Sequence, residues 1–297
     1  MQTSPLTDLA TTPYYLPLVE ADGGAKPLEN CDNAEVLAFL EQRAIYTAYL
    51  AGLIRDNGLQ NSLNRGTFYG YRNQLGQLEG AALIGHATLL EAASDEAVQA
   101  FARTAQRCKA GHLIMCEENR LEKFWGYYAV AGQQMRHAHR QLLLELRWPI
   151  QVSEPLSNLR LATVEDLDLL VPVHAEMAHA ESGIDPRQRD GRGFLERYVR
   201  RIELGRTWIL TEDGNLQFKA EVVAETPDTS CIEGVWVNPA ARRQGYGRRC
   251  MSQLARMLLW RTKSICLFVN EENEDAQKFY KHVGYHVRAV YDTIFLE

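Results

Sequence analysis

Apolar positions recur at helical spacing through "NAEVLAFLEQRAIYTAYLAGLIRDN" (33–57), which predicts two helices. Strand-like runs follow at 67–71 and 81–90. "SDEAVQAFARTAQRC" opens on Ser94, a good N-cap, and reads as an amphipathic helix. A short apolar strand ("HLIMC"), a helix that stops at Gly132 ("NRLEKFWGYYAVAG") and a strand ("RQLLLEL") complete the first half. The second half begins with a helix capped at Thr163 and a further helix over 191–205. Strands are expected at 207–211, 217–225 and 231–237, then a helix at 246–261, a strand at 265–269, a helix at 273–282, and strands at 285–290 and 291–296. Strand–helix–strand alternation after an antiparallel hairpin predicts an α/β protein with a mixed sheet.

The two halves repeat. "CEENRLEKFW" (116–125) aligns with "NEENEDAQKFY" (270–280) with one residue inserted, each following a short apolar strand that is preceded by a helix. The expected organisation is an irregular arm at 1–32, one domain at 33–150, a proline-bearing linker at 151–157, and a second copy of the same fold at 158–297. Trp125 in the first copy corresponds to Tyr280 in the second.

Composition narrows the function classes. The chain has 297 residues, 46% hydrophobic and 24% charged, with a formal net charge of −6, values of a globular protein without the basic balance of a nucleic-acid binder. The six cysteines lie at 31, 108, 116, 231, 250 and 266 with neither Cys-x-x-Cys pairs nor zinc spacing, so free buried thiols and no metal site are expected. His174 and His179 are five apart and do not share a helix face as ligands at i, i+4 would; both are expected to be structural. The N-terminus lacks the basic-then-apolar pattern of a signal peptide, and no apolar run approaches about 18 residues. A cytoplasmic protein without a membrane span is the expectation; oligomeric state is left open.

Against that acidic background, "VNPAARRQGYGRR" (237–249) packs four arginines and two glycines between a strand and a helix. A helix N-terminus offers unpaired N–H groups and partial positive charge, and glycines let an anion approach the backbone. The loop lacks the Gly-Lys-Ser/Thr of a nucleotide P-loop and the third glycine of a dinucleotide fingerprint. On its own it is equally a turn with a solvated basic face.

"RRQGYG" after "GVWVNP" resembles the Arg/Gln-x-x-Gly-x-Gly/Ala signature of the GCN5-related N-acetyltransferase (GNAT) superfamily, and "NEDAQKFYKHVGY" (273–285) resembles its later motif Asn-x-x-Ala-x-x-x-Tyr-x-x-x-Gly-Phe/Tyr at every defined position. Together with "AESGIDP" and "GRTWILTEDGNLQFKAEV", these stretches look like a bacterial subgroup of two-half GNAT proteins whose N-terminal half is labelled DUF4081. The resemblance implies tandem GNAT-like folds, with a degenerate N-terminal copy and acetyl-CoA bound by the C-terminal one. It implies pyrophosphate contacts from Arg242, Arg243, Gln244, Gly245, Tyr246, Gly247 and Arg248, carbonyl polarisation by backbone N–H groups around Val235, Trp236 and Val237, and further cofactor contacts from Asn270, Asn273, Ala276 and Phe279. Asn273 is also an expected helix N-cap.

Acetyl transfer from a thioester to an amine needs a base, a polarised carbonyl and a stabilised leaving thiolate. Tyr280 matches the family's general acid; its other reading is a packed aromatic. Trp125 cannot act as an acid, because an indole N–H does not dissociate usefully. Period-2 alternation puts Glu221 and Glu225 on one strand face, and a turn near Asp228 adds Glu233 opposite Val223, giving three clustered carboxylates. Glu233 is the expected base, unless a register slip removes it from that face or the glutamates are merely solvated. Lys219 shares the face and is expected in a salt bridge. Glu181, Asp185 and Glu221 are expected acceptor contacts, although "AESGIDP" also reads as a helix-ending loop. The acceptor is expected to be a primary amine: a small cationic amine, an amino acid or a peptide N-terminus. A non-catalytic acyl-CoA-binding or scaffold protein, and an aminoacyl transferase of the two-half type, are the alternatives.

Overall fold

In the computed structural model the described residues are 24–151, 156 and 158–297. The expected arm lies outside them up to residue 23, and the expected linker lies outside them at 152–155 and 157. The chain is a mixed α/β protein that divides into two compact units. The first comprises residues up to Leu143 together with Val269–Glu274 and Val287–Glu297; the second comprises Leu144–Phe268 and Asp275–His286.

In the first unit, strands β1 (Lys26–Pro27), β2 (Gly66–Arg72), β3 (Leu78–Gly85), β4 (Ala87–Ala92) and β5 (Leu113–Glu117) lie side by side in that order. β4 and β5 run parallel and the other neighbours antiparallel. Helices α1 (Asn33–Glu41) and α2 (Ala44–Asn57) bury Val36, Leu40, Leu50 and Ile54 against Phe68, Leu83 and Leu89. Helices α3 (Asp95–Ala105) and α4 (Glu118–Tyr128) bury Val98, Phe101, Leu121 and Phe124 against Ile84, Leu90 and Ile114. Leu83/Ile84 and Leu89/Leu90 therefore split between the two faces, as a strand covered on both sides requires. The single strand expected at 81–90 is two, because the chain reverses at His86, whose N–H donates to the Arg65 carbonyl at 2.9 Å. β6 (Met135–Leu146) begins five residues earlier than the apolar run that predicted it.

The second unit carries β7 (Leu159–Leu161), β8 (Thr207–Glu212), β9 (Asn215–Glu225), β10 (Thr229–Val237) and all but the last two residues of β11 (Ser264–Asn270), adjacent in that order. β10 and β11 are parallel, and the others are antiparallel. Helices α5 (Leu167–Ser182) and α6 (Pro186–Glu203) bury Leu170, Tyr198 and Ile202 with Ile209 and Leu216. α7 (Tyr246–Leu259) buries Cys250, Met251, Leu254 and Leu258, and α8 (Glu274–His282) buries Tyr280. α6 breaks at Asp190, whose carboxylate accepts from Gly193 N–H at 3.0 Å and caps the stretch expected as a helix from 191. Of the cysteines, Cys31 is exposed and Cys108 half-buried, while the other four are buried thiols as expected.

The last strand differs from the expectation. Instead of two strands there is one, β12 (His286–Leu296), and its residues Tyr291–Phe295 pair antiparallel with Glu117–Leu113 of β5. The exposed start and buried end of β12 change its polarity pattern halfway, which mimics a break. Residues assigned by sequence to the second half thus complete the sheet of the first unit. Tyr291 donates to the Tyr46 carbonyl at 3.0 Å, and Asp292 pairs with Arg140 at 3.0 Å.

Candidate acyl-transfer site

The geometry that matters begins where β10 leaves β11. Their parallel pairing runs from Thr229↔Ser264 to Ile232↔Leu267, whereas β10 continues to Val237 alongside β9. Along β10 the side chains change at the same point from buried to exposed or half-buried. Two bulges shape the β9–β10 ladder. One skips Val223, so that Cys231 faces Ala224 and Ile232 faces Val222; the other adds a residue to β10 between Glu233 and Trp236. Gly234 occupies that second bulge at φ +60, where a Cβ would meet Lys219 Nζ at 2.9 Å and the Glu221 carboxyl carbon at 3.3 Å. Only glycine combines a left-handed backbone with that approach.

The first bulge revises the expected carboxylate trio. Glu233 stands opposite Glu221, not Val223, and Glu225 falls on the other face, where it pairs with Arg261 at 2.9 Å. What accompanies Glu221 and Glu233 is a set of basic side chains that alternation revealed only in part. Lys219 and Glu221 are both wholly buried, and Lys219 donates to Glu221 at 2.5 Å and to the Gly234 carbonyl at 3.1 Å, so the expected salt bridge exists. Arg201 of α6 bonds to Glu221 and, at 2.8 Å, to Glu233. His174 Nδ1 lies 3.4 Å from Glu221, with its ring stacked on Tyr198 at 4.3 Å and on Phe194 at 5.3 Å. Burial alone would raise the Glu221 carboxyl, but Lys219, Arg201 and His174 outweigh it and hold it well below the usual carboxylate range. Burial, and then the Glu221 charge, push the Tyr198 phenol up. Glu221 is therefore an interior counter-ion and not an acceptor contact.

Glu233, the expected base, is 44% exposed at its side chain and tied to Arg201 at 2.8 Å. The better-poised group is Glu181, in the last turn of α5. Its side chain is open to water, yet surrounding protein first, and the Glu233 charge second, push its carboxyl up to about 7; solvent access tempers that shift. Asp185 has a different job: it N-caps α6, accepting from Arg187 N–H at 2.9 Å, and binds the Arg187 side chain at 2.7 Å. Those bonds hold its carboxyl at about 2.

The arginine–glycine loop spans the eight residues 238–245 between β10 and α7. Asn238 turns it, accepting from Ala240 N–H at 3.0 Å. Gly245 forms the N-cap of α7 at φ +87 with no side-chain cap, which leaves the first-turn N–H groups to an outside acceptor. Arg242, Arg243, Gln244 and Arg248 are exposed around it; Arg242 bonds to the Val237 carbonyl at 3.3 Å and Gln244 to the Ala240 carbonyl at 3.0 Å. Gly247 is buried against Phe279 and Val237. The Tyr246 hydroxyl donates to Glu212 at 2.6 Å, so its side chain fastens the loop and only its backbone faces the anion position.

Tyr280 is 8% exposed on α8, edge-on to Phe279 at 5.3 Å and to Tyr285 at 5.6 Å. Burial raises its phenol above the ordinary value, so it stays protonated at any working pH. Ala276 and Phe279 are half-buried on the same helix, and Asn273 directly precedes it. Asn270 ends β11 and accepts from Glu272 N–H at 2.8 Å.

The first unit repeats the element order without these devices. Only residues 93 and 94 separate β4 from α3, Ser94 itself accepts from Ala97 N–H at 3.4 Å, and Asp95 and Glu96 put negative charge in the first turn. An anion is repelled there. Trp125 takes the buried position of Tyr280. In β4, Glu91 is clamped by Arg43 at 3.0 Å and Arg120 at 2.9 Å, and Glu117 of β5 by both arginines at 2.8 Å.

Residues 203–287 match the family model of the acetyltransferase (GNAT) domain. No curated protein sequence matches the chain. Among solved structures, a GNAT-family acetyltransferase from Colwellia psychrerythraea is similar at TM-score 0.54 and 14% identity, over 92% of this chain and 99% of that one. A Drosophila protein is similar at TM-score 0.66 and 13% identity, over 93% and 99%. A tandem GNAT protein from the clavulanic acid biosynthesis pathway is similar at TM-score 0.53 and 11% identity, over 91% and 98%. At such identities the likeness is one of fold, and it extends through both halves. No helix among the described residues is long and apolar enough to cross a membrane.

Proposed function

Given an acetyltransferase (GNAT) domain, and with it the N-acetyltransferase class of activity, we propose that this protein moves an acetyl group from acetyl-coenzyme A directly to a primary amine, in the second unit. The observation that carries the reading is the departure of β10 from β11 at Ile232↔Leu267, which leaves the bulged stretch Glu233–Val237 unpaired on that side, where a thioester would lie. The uncapped α7 N-terminus, ringed by Arg242, Arg243 and Arg248, fits the pyrophosphate. Bound there, the cofactor supplies an activated acetyl thioester.

The residues then divide the work. N–H groups of Val235–Val237 polarise the thioester carbonyl. Glu181 takes the proton of the incoming ammonium, poised by its raised carboxyl, while Glu233, held by Arg201, adds to the acidic lining that attracts a cation. Tyr280 donates a hydrogen bond to the departing thiolate. Its raised phenol is a weaker acid than a free thiol (ordinary value about 8.5), so it stabilises the thiolate chiefly through that bond. The carboxylates favour a cationic acceptor, and the protein would work as a soluble cytoplasmic enzyme.

Calorimetry with coenzyme A tests the cofactor: the parent should bind and Gly245→Glu should bind markedly more weakly. No binding by the parent sinks the reading. A turnover screen over amines, amino acids and peptides, followed with a thiol-detecting dye, tests catalysis. Tyr280→Phe should lose about 10- to 1000-fold in kcat, the range for removing one transition-state hydrogen-bond donor; parity with the parent on every active acceptor removes Tyr280 from the mechanism.

A further inference from the structure

The bulge that turns β10 outward is held from beneath by a buried cation. Lys219 is wholly buried, and its ammonium is shared between the Glu221 carboxylate at 2.5 Å and the Gly234 carbonyl at 3.1 Å. Trp236, opposite Lys219 across the ladder and on the same face, packs against the apolar cluster of α5 and α6. A Cβ on Gly234 would sit 2.9 Å from the ammonium, so the backbone comes as near to Lys219 as the bond requires and leaves no room for a side chain.

The Gly234 carbonyl and the Val235 N–H belong to one planar trans peptide and point in opposite directions. Whatever fixes the first aims the second. A charge-assisted bond to the carbonyl also polarises the peptide and strengthens its N–H as a donor. We propose that Lys219 is a positioning residue for acyl transfer: through the Gly234 carbonyl it aims and polarises the Val235 N–H that faces the carbonyl of the acyl donor. The proposal rests on the acyl-transfer reading above. Lys219 touches neither donor nor acceptor and moves no proton. Glu221 is the partner of Lys219 in the interior, and Arg201 and His174 complete the shell around Glu221.

Two variants test it. Lys219→Met removes the cation while leaving Glu221 its bonds to Arg201 and His174; Lys219→Met/Glu221→Met removes both charges and serves if the single variant does not fold. Coenzyme A affinity is measured by calorimetry, kcat with the best acceptor, and the Val235 amide proton by NMR in 15N-valine-labelled protein titrated with acetonyl-coenzyme A, which presents a carbonyl but cannot transfer it. The expected result is a kcat lower by about 10- to 100-fold, the cost of small misplacement at a reacting centre, with coenzyme A affinity unchanged within about twofold. The downfield response of the Val235 amide to the analogue, present in the parent, should shrink in both variants. A folded variant with parental kcat, or a Val235 response equal to the parent's, overturns the proposal. If the parent binds the analogue but acetylates no amine, the acyl-transfer reading fails, and the amide response alone decides whether Lys219 aims Val235.

Discussion

Glu181→Gln separates the two candidate bases. In the parent the Glu181 carboxyl is pushed up toward about 7, by the surrounding protein first and by the Glu233 charge second, with its open side tempering the shift. A base with that value is about half ionised at pH 7 and about one-tenth ionised at pH 6, so kcat/KM should fall about tenfold per pH unit on the acid side. Steady-state rates from pH 5.5 to 9, with the released thiol detected by dye, give the limb. Glu181→Gln should abolish it and lower kcat by about 100- to 10,000-fold, the usual range for a lost general base. Glu233→Gln should move the limb to lower pH without abolishing it, because only the smaller cause is removed. The stability signature has a definite sign. A folded value above the unfolded 4.5 means that the protonated carboxyl favours the folded state; that contribution is present below pH 4.5 and is lost as pH rises through about 7. Glu181→Gln should remove this loss and melt higher than the parent at pH 8, a trade of stability for activity. If Glu181→Gln keeps the parental acid limb and kcat, Glu181 is not the base.

Two further outcomes follow from the same contacts. Glu221→Leu alone leaves Lys219 buried without its counter-ion and should cost about 3–5 kcal/mol in urea denaturation; adding Lys219→Met should recover much of it, and a single variant as stable as the parent contradicts the buried-pair account. Asp185→Ala removes the α6 N-cap and should cost about 1 kcal/mol, read in the same denaturation; because the carboxyl is held at about 2, the difference should persist from pH 8 to pH 4 and vanish only on further acidification.

The sequence was most informative where chemistry is written in consecutive residues. "RRQGYG" and "NEDAQKFYKHVGY" located the loop, α7 and Tyr280 because each motif lies within a single turn or helix. Glu225 was misplaced because one bulge at Val223 shifts every later side chain to the other face, and nothing in the composition of a strand announces a bulge. The Lys219–Glu221–Arg201–His174 cluster draws on β9, α6 and α5, so its assembly depends on packing that spacing cannot report. One signal for it was present: Lys219 and Glu221 share a face in an otherwise apolar strand, and charges in such a strand need partners. The partner of β12 was equally hidden, since strand pairing is settled by contacts far apart in the chain.

That last pairing has a consequence for how the chain is made. The first unit ends its continuous run at Leu143, yet its sheet needs the part of β12 from Val287 onward, 144 residues later. At about 5–20 residues per second, the ribosome takes about 7–30 s to deliver that strand. During this time β5 presents an unpaired edge, Arg140 lacks Asp292, and the apolar surface awaiting Ile294 and Leu296 is uncovered. A chain released or cleaved before residue 287 would carry that open edge permanently, a template for pairing with other chains. Production of this protein should therefore depend on chaperone capacity more than its finished fold suggests, and truncation after about residue 150 is a poor route to the isolated first unit.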